Sequence, residues 1–413
     1  MKRSVLLLLA AVALTAGAAE LRTDAKDVTG ELQKLLKTER EVIVPARKTP
    51  YQISSALNMS SNQKLLLLPG AVLEAAPDKF HGRNDEFLKL TNVENVVISG
   101  YGAEIRMRKK DYQDKSRYSK SEWRHGIAIR DSKNVQILGI TVRSTGGDGL
   151  YVGTAHKDGY SSDIIVRDAV FDDNHRQGIS IISVEKLLID RCILSNTSGT
   201  DPEAGIDFEP NSPGERLTDC VVRDTLALNN RALGFHMWLK NIRPETPFPI
   251  SIRFERCVSV GGACAAHVGF VPEGGRGKVE FVDCQFVNAE VNGIRLRDKD
   301  AKGAELVFRN CQVSGTGVHK YTARRGKQYD LNAPVSMFTI YKRSANPGGV
   351  VFDNLLIFDA LDRPALVFAD PIDFAADGFS KVSGTVQVNS PATEPIKLYG
   401  TKFNGAEDLK LKR

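Results

Sequence analysis

The chain is poor in residues that mark several common kinds of protein. Its 413 residues include only two tryptophans, five methionines and six cysteines. It has no block of five or more lysines and arginines, which argues against nucleic-acid binding. After residue 14, no apolar run approaches the roughly 18 to 20 residues that cross a bilayer, so we expect no membrane insertion.

The N-terminus has the pattern of a secretory signal. Lys2 and Arg3 precede an apolar run from Val5 to Leu14, and small residues follow as far as Ala19. We therefore predict a signal peptide over residues 1–19, one domain over 20–400 and a C-terminal tail over 401–413. The mature protein is expected to be secreted or periplasmic.

The formal net charge of the chain is +6. A modest positive charge on an exported protein favours an acidic partner such as a polysaccharide. The sequence carries no signal of oligomeric state.

Five cysteines follow similar local phrases at intervals of 27 to 37 residues, namely Cys192, Cys220, Cys257, Cys284 and Cys311. This recurrence favours a reduced, buried ladder over disulfide bridges, which remain the alternative; Cys264 stands outside the phrase.

A repeat of 23 to 33 residues is the strongest signal in the sequence. A small or polar residue followed by alternating side chains recurs at Gly126, Gly149, Gly178, Gly205, Gly234, His267 and Gly293. The residue after each position is apolar, as is the residue three steps after it. Runs this short lack a helical period and must stack on one another to bury their apolar side chains. The pattern predicts an all-β parallel β-helix, a solenoid.

The N-terminal end of such a solenoid needs a cap to cover its open strands. Residues 29–38 predict a short capping helix, with Thr29 as its N-cap. Leu32, Leu35 and Leu36 would form the apolar stripe of this helix.

Polar side chains alternate with the apolar ones and should share one outer wall. Residues two and four steps after each repeat position point outward, and neighbouring strands lie about 4.8 Å apart. The central coils therefore gather the following side chains on one patch: Tyr151, Asp207, Glu209, His236, Trp238, Arg295 and Arg297.

Asp207 and Glu209 are the candidate general acid and base of a glycoside hydrolase. Their spacing along one strand predicts a separation of about 6.6 Å, in the range of inverting enzymes. Asp148 is an alternative second carboxylate, and His236 is a candidate to share the proton. The candidate substrate-binding residues are Trp238, Tyr151, His175, Arg176, Lys240, Arg295 and Arg297.

Each of these residues also has a simpler interpretation. Isolated Asp, Glu and Arg side chains on a solenoid are mostly solvated. His175 and Arg176 would then be turn residues, and Asp148 would be a turn former. The remaining histidines lack metal-ligand spacing and are expected to be structural or on the surface: His125, His156, His267 and His319.

The chain resembles the pectate-lyase-like superfamily of right-handed β-helix proteins over about residues 22–400. The likeness rests on Glu-Val-Ile-Val-Pro at 41–45, Leu-Pro-Gly-Ala at 68–71, His-Arg-Gln-Gly-Ile-Ser at 175–180 and Gly-Ile-Asp-Phe-Glu-Pro-Asn at 205–211. Ser-Thr-Gly-Gly-Asp-Gly at 144–149 resembles the Asn-Thr-Asp-Gly phrase of polygalacturonases, and Arg295 and Arg297 loosely match their Arg-Ile-Lys. Their Asp-Asp pair and Gly-His-Gly phrase are missing.

The resemblance implies an enzyme acting on carbohydrate and leaves three functions open. The first is a glycoside hydrolase cleaving an acidic polysaccharide without a cofactor. The second is a uronate lyase or C5-epimerase, in which Asp207 and Glu209 hold Ca²⁺ and Arg295, Lys240 or His236 lies near the abstracted proton. The third is a noncatalytic carbohydrate-binding solenoid.

Overall fold

The computed structural model describes residues 17–318, 331–340, 346–370, 377–404 and 408–413. The apolar run of the expected signal peptide and His319 lie outside these residues. Within them are one α-helix, α1 (Thr29–Thr38), one 3₁₀ turn (Asp111–Gln113) and 36 strands. No helix in the described ranges is long and apolar enough to cross a membrane.

The first eighteen strands are β1 (Ala19–Glu20), β2 (Glu41–Val44), β3 (Tyr51–Ile53), β4 (Leu57–Asn58), β5 (Gln63–Leu67), β6 (Val72–Ala75), β7 (Leu88–Thr91), β8 (Glu94–Ser99), β9 (Glu104–Arg106), β10 (Ile127–Arg130), β11 (Lys133–Leu138), β12 (Thr141–Arg143), β13 (Leu150–Gly153), β14 (Ser161–Arg167), β15 (Val170–Asp172), β16 (Gln177–Ile181), β17 (Val184–Asp190) and β18 (Ile193–Ser195). The remaining strands are β19 (Ala204–Phe208), β20 (Leu217–Arg223), β21 (Leu226–Leu228), β22 (Leu233–Trp238), β23 (Ile250–Glu255), β24 (Val258–Val260), β25 (Cys264–Val271), β26 (Gly277–Val282), β27 (Gln285–Val287), β28 (Asn292–Lys299), β29 (Glu305–Arg309), β30 (Gln312–Ser314), β31 (Val335–Phe338), β32 (Gly348–Phe358), β33 (Leu366–Ala369), β34 (Ser380–Asn389), β35 (Ile396–Tyr399) and β36 (Leu409–Lys412).

The strands stack in parallel into a solenoid with three faces. Face A contains β4, β7, β10, β13, β16, β19, β22, β25, β28, β31, β33 and β35. Face B runs from β1 and β2 through every third strand to β29, and face C runs likewise from β3 to β30. The long strands β32 and β34 continue from face B onto face C without a turn, joining these two faces at the C-terminal end. The all-β solenoid prediction is confirmed.

The interior is a set of apolar columns, as the repeat predicted. In face A, Ile127 pairs with Leu150 and Leu150 with Ile179, and all three side chains are buried. At β25 the register differs from the prediction by two residues. Ala266 and Val268, not Val268 and Phe270, continue the two inward columns.

Phenylalanines of successive coils form a second, aromatic column along face B and the part of β32 that continues it. Phe281 lies between Phe254 and Phe308, with ring centroids 4.7 and 5.0 Å away and nearly parallel planes. Phe352 continues the column at 5.9 Å from Phe308. This column ties four consecutive coils together in one register.

All six cysteines are free and buried, so the ladder prediction is confirmed in part. Cys192, Cys257, Cys284 and Cys311 each directly precede a face C strand. Cys220 does not share that position, because it lies within β20 and pairs with Ile252. Thr225 takes the ladder position in that coil and accepts a hydrogen bond from the Cys192 N–H at 3.3 Å.

The capping helix covers the first coils. Leu32 and Leu36 of α1 are fully buried, whereas Leu35 is only partly buried. The prediction of Thr29 as N-cap is wrong, because the helix already begins at this residue. The Asp27 carboxylate instead accepts the Thr29 N–H at 3.0 Å.

The predicted C-terminal tail contains an ordered strand. Residues 409–412 form β36, which pairs in parallel with β34. The solenoid therefore continues past residue 400, where the sequence signal fades.

Candidate active site

The outer wall of face A brings the predicted acids beside the predicted aromatic and imidazole groups. Asp207 pairs laterally with His236, and His236 pairs with His267. His267 in turn pairs with Arg295. The segments around residues 207 and 236 are thus neighbours on one wall, as the repeat predicted.

Asp207 is buried and keeps its proton more strongly than an ordinary aspartate. Gln177 Nε2 donates to Asp207 Oδ2 at 2.9 Å, while Gln177 Oε1 accepts the Ala204 N–H at 3.1 Å, which fixes the orientation of the amide. Burial raises the pKa of Asp207 well above its usual value, and the charge of the adjacent Glu209 carboxyl raises it further. Asp207 Oδ1 receives no hydrogen bond from the described residues and lies 3.8 Å from His236 Nε2.

Asp207 and Glu209 influence each other on this wall. Glu209 follows the last residue of β19, so the regular spacing of a strand does not apply to it. The charge of the Glu209 carboxyl contributes to the raised pKa of Asp207. The separation of an inverting pair stays a prediction for these two carboxyl groups.

Arg176 joins three carboxylates at the centre of the site. Its Nη2 donates to Glu209 Oε2 at 3.2 Å, its Nε lies 3.5 Å from Glu122 Oε2, and its Nη1 lies 4.0 Å from Asp148 Oδ1. Burial lowers the pKa of Arg176, but the charges of Asp148, Asp207 and Glu209 outweigh it and the net shift is upward. Arg176 is a permanent cation that compensates the charge of these acids.

Asp148 lies at the base of the same region. The Nδ1 of His125 accepts the Asp148 N–H at 3.1 Å and lies 3.2 Å from its Oδ2. Neither carboxylate oxygen of Asp148 receives a hydrogen bond from the part of the chain that the structure describes. Asp148 therefore borders the central groove with a buried carboxyl group that has no hydrogen-bond donor among the described residues.

Tyr151 lies between an imidazole and a guanidinium. The His125 ring stacks on it with centroids 4.9 Å apart, and Arg130 lies over it at 4.6 Å. Both terminal nitrogens of the Arg130 guanidinium, Nη1 and Nη2, donate to the Glu86 carboxylate. Burial raises the pKa of Tyr151 to about 12, so its hydroxyl keeps its hydrogen at neutral pH.

His236 and His267 form a buried, uncharged pair. Their Nδ1 atoms are 3.0 Å apart, so one of the two carries the hydrogen and the other accepts it. Burial, followed by the charge of Arg297, lowers the pKa of His236 to about 3. Trp238 borders this pair, with Arg297 4.6 Å above its indole ring.

Two adjoining grooves border this wall, and Asp207, His236 and Trp238 are not among the residues that line them. The central groove has a volume of about 570 Å³ and is lined by Asn84, Glu86, Lys89, Trp123, His125, Arg130, Asp148, Tyr151, Arg176, Ile182, Glu209 and Asn211. The flanking groove, of about 520 Å³, is lined by Arg83, Tyr112, Gln113, Lys115, Lys120, Ser121, Glu122, Trp123, His175, Gly199 and Thr200. Trp123 is common to both.

Not every predicted site residue lines the central groove. His175 lies in the flanking groove, where its Nε2 is 2.9 Å from Thr200 Oγ1. Lys240 lies in an exposed turn beyond β22, and Arg295 donates to Asn292 Oδ1 at 2.9 Å.

Sequence reasoning missed four residues of the site. His125 and His267 were predicted to be structural or on the surface, but His125 contacts Asp148 and His267 contacts His236. Placing His267 on the outward side required the register of β25, which the repeat pattern set two residues too late. Gln177 and Trp123 gave no recognisable signal in the sequence. Gln177 contacts Asp207 and Trp123 lines both grooves only because the fold brings distant segments together.

The carboxylates of this site are poorly arranged for Ca²⁺. Arg176 already lies against Glu209 and Asp148, and Asp207 keeps its proton. Among the residues described, no group of three or more His, Cys, Asp or Glu side chains is arranged to hold a metal ion. The residues do not fit the Ca²⁺ site that a calcium-dependent lyase would use, which leaves a lyase without Ca²⁺ as the form of that alternative.

Comparison with known proteins agrees with the architecture. A family model for right-handed β-helix regions matches residues 82–238. A prophage-derived uncharacterised protein of Bacillus subtilis (strain 168), YorA, is 29% identical over 180 residues, 41% of this chain. That match covers 30% of the relative's length, so the chain spans under a third of this curated relative.

Solved structures match over nearly the whole chain. The catalytic unit of a thermostable α-1,3-glucanase from Streptomyces thermodiastaticus strain HF3-3 has a TM-score of 0.62 at 11% identity, covering 97% of this chain and 70% of that one. The A-module of the mannuronan C-5 epimerase AlgE4 from Azotobacter vinelandii has a TM-score of 0.54 at 11% identity, covering 94% and 91%. Identities this low establish the fold alone, which is a right-handed parallel β-helix.

Proposed function

We propose that this right-handed parallel β-helix is an enzyme that acts on polysaccharide and hydrolyses a glycosidic bond in an acidic glycan. Proteins with this fold include an α-1,3-glucanase and a mannuronan epimerase, which supports a polysaccharide substrate. The observation that supports hydrolysis is the raised pKa of the buried Asp207, next to Glu209, which lines the central groove together with Asp148. The signal peptide predicted over residues 1–19 would place this activity outside the cytoplasm.

The Asp207–Glu209 pair is proposed as the general acid. Burial and the charge of Glu209 raise the pKa of Asp207, so Asp207 holds a proton. Asp207 is 1% exposed, whereas the Glu209 side chain is 23% exposed and lines the central groove. Glu209 would therefore receive this proton from Asp207 and deliver it to the leaving oxygen.

Asp148 is proposed as the general base. Its two oxygens receive no hydrogen bond from the described residues. Asp148 and Glu209 approach different terminal nitrogens of Arg176, Nη1 and Nη2 respectively. A water held there would lose a proton to Asp148 as its oxygen attacks the anomeric carbon. Separate acid and base carboxylates on either side of the bond are the arrangement that hydrolysis requires.

Substrate binding is proposed to involve the arginines and the aromatic residues of the wall. Arg176 is the candidate to contact a carboxylate of the glycan, since its guanidinium can bind an anionic group in a bidentate manner. Trp238 is the candidate ring surface beside the acids, and Tyr151 is a candidate to contact a sugar from the lining of the central groove.

The test is to incubate the protein with a panel of acidic polysaccharides and to follow two products. New reducing ends without ultraviolet absorbance support hydrolysis. An unsaturated, absorbing product supports the lyase alternative instead, whether or not its formation depends on Ca²⁺. Binding without either product supports a noncatalytic solenoid. Activity is expected to persist in a metal chelator.

Asp207→Asn and Glu209→Gln are each expected to lower turnover by about 10²- to 10⁴-fold. Each variant replaces a carboxyl group that holds or passes on the proton of the general acid by an amide that cannot do so. Asp163→Asn, on face B, is the matched control and should keep full activity. Circular dichroism should show an intact fold in all three proteins. Full turnover in both site variants would remove the assignment.

A further inference from the structure

The flanking groove carries a charge that the proposed chemistry does not use. Arg83, Lys115 and Lys120 line it, and all three side chains are exposed. Glu122 is the acid among its lining residues, and that carboxylate turns toward Arg176 at 3.5 Å. No ion pair joins these three cations to a carboxylate in the described ranges. The groove is therefore a concave surface with an excess of positive charge.

Trp123 connects the flanking groove to the central one. It lines both grooves and its side chain is 38% exposed. Arg83 lies 4.9 Å from the centre of the indole ring, which holds this guanidinium next to the aromatic surface. A flat ring with a cation beside it suits a sugar ring that carries a negative group.

The floor of the flanking groove is polar and uncharged. Burial, followed by the charge of Lys109, lowers the pKa of His175, so its ring is neutral at pH 7. The Thr200 hydroxyl lies 2.9 Å from His175 Nε2. Neutral donors and acceptors of this kind bind hydroxyl groups, whereas the cations stand at the rim.

We infer that the flanking groove binds an anionic sugar residue of the same glycan chain whose bond lies at Glu209, with the chain crossing over Trp123. Arg83, Lys115 and Lys120 contact the carboxylate or sulfate of that residue. This inference rests on the proposed function for the site of cleavage, but the binding itself does not require cleavage. It assigns selection for acidic glycans to Arg83 and to the segment of residues 112–123.

The test measures binding in the Glu209→Gln protein, so that turnover does not interfere. The probes are hexamers of galacturonate and of mannuronate, a sulfated neutral hexamer, and the carboxyl-reduced form of each uronate hexamer. The double variant Lys115→Gln/Lys120→Gln is expected to bind at least one acidic probe more weakly, with a dissociation constant tenfold or more higher at low salt. It should leave binding of the carboxyl-reduced form unchanged, and the difference should shrink in 0.5 M salt.

Lys34→Gln/Lys37→Gln on α1 is the matched control, because it removes the same charge from exposed lysines elsewhere. Equal weakening in this control, or unchanged affinity for every acidic probe in the groove variant, overturns the inference. Trp123→Ala should also weaken binding, whereas Trp123→Phe should retain most of it.

Failure of the two proposals can be told apart. If the wild-type protein cleaves none of the probes yet shows charge-dependent binding that the groove variant loses, the inference stands and hydrolysis fails. If the protein cleaves an acidic probe and the groove variant binds it normally, the inference fails and hydrolysis stands. In an active protein, the groove variant should raise KM with little change in kcat.

Discussion

At the scale of single residues, burial decides which groups of the wall carry charge. Asp207 and His236 are lateral neighbours and both are almost fully buried, so Asp207 keeps its proton and His236 stays neutral. Arg176 is less buried and remains charged between Glu209 and Asp148. The site thus combines uncharged buried groups with one cation, Arg176, whose charge is balanced by neighbouring carboxylates. The residue types on the wall do not by themselves reveal this arrangement.

His236 makes stability depend on pH. Its pKa in the folded protein is about 3, below the value near 6.5 of an unfolded chain. The folded state therefore resists protonation, and stability that is complete above pH 6.5 is lost as the pH falls toward 3. Between pH 7 and pH 4.5 the loss from this one group is on the order of 3 kcal/mol.

Urea unfolding of the wild-type protein and of His236→Gln at both pH values measures this loss. The variant should lose less stability on acidification than the wild type. His156, whose imidazole is exposed and bonded to Asp131, is the control, and His156→Gln should keep the wild-type dependence on pH. Parallel losses in all three proteins would show that His236 is not the source.

At the scale of the strand and the coil, register determines which side chains meet. The apolar alternation was sufficient to predict face A and the pairing of residues 207 and 236. It failed at β25, where Ala265 takes the place of the small residue that is glycine in neighbouring coils, and the prediction used His267 instead. Alanine gives no stronger signal than any other apolar residue, so the true register could be recognised only from the pairing.

The small residue at the start of each face A strand is required by close contact between coils. A Cβ on Gly178 would lie 2.4 Å from the carbonyl oxygen of Gly205 in the next coil. Gly178→Ala should therefore cost about 2 kcal/mol of unfolding free energy, because the backbone must shift. The neighbouring Gln177 holds Asp207, so activity should fall as well.

Gly30→Ala on α1 is the matched control, since nothing lies within 4 Å of the added Cβ. It should leave stability unchanged or raise it by up to about 1 kcal/mol, because alanine favours a helix more than glycine does. Thermal unfolding followed by circular dichroism compares the two variants. Equal stability of both would contradict the close-contact explanation.

At the scale of the whole molecule, the fold was largely predictable and the grooves were not. Stacking of short apolar runs predicted the solenoid and its capping helix from residues such as Leu32 and Ile127. The grooves also depend on where residues 80–124 lie between coils, and Arg124 shows this by donating to the carbonyl oxygens of Phe80 and Ser119. Such contacts have no period in the sequence, which is why Trp123 was overlooked.

The aromatic column should contribute strongly to global stability. Phe281 is fully buried between two stacked rings, and Phe281→Ala should cost about 3 to 5 kcal/mol because it opens a cavity between coils. Leu361→Ala, at a side chain that is 39% exposed, should cost much less. Chemical unfolding of the two variants in urea gives the comparison, and similar midpoints would show that the column does not bear on stability.

The open design of the stack has a consequence for how the molecule comes apart. Each coil rests only on the coil before and the coil after it, so loss of order can start at either end and spread inward step by step. The acids of the wall lie on β19 and its neighbours, many layers from both ends. Unzipping of the outermost layers would therefore leave the reacting groups in place, and catalytic power should outlast the first signs of melting at the termini.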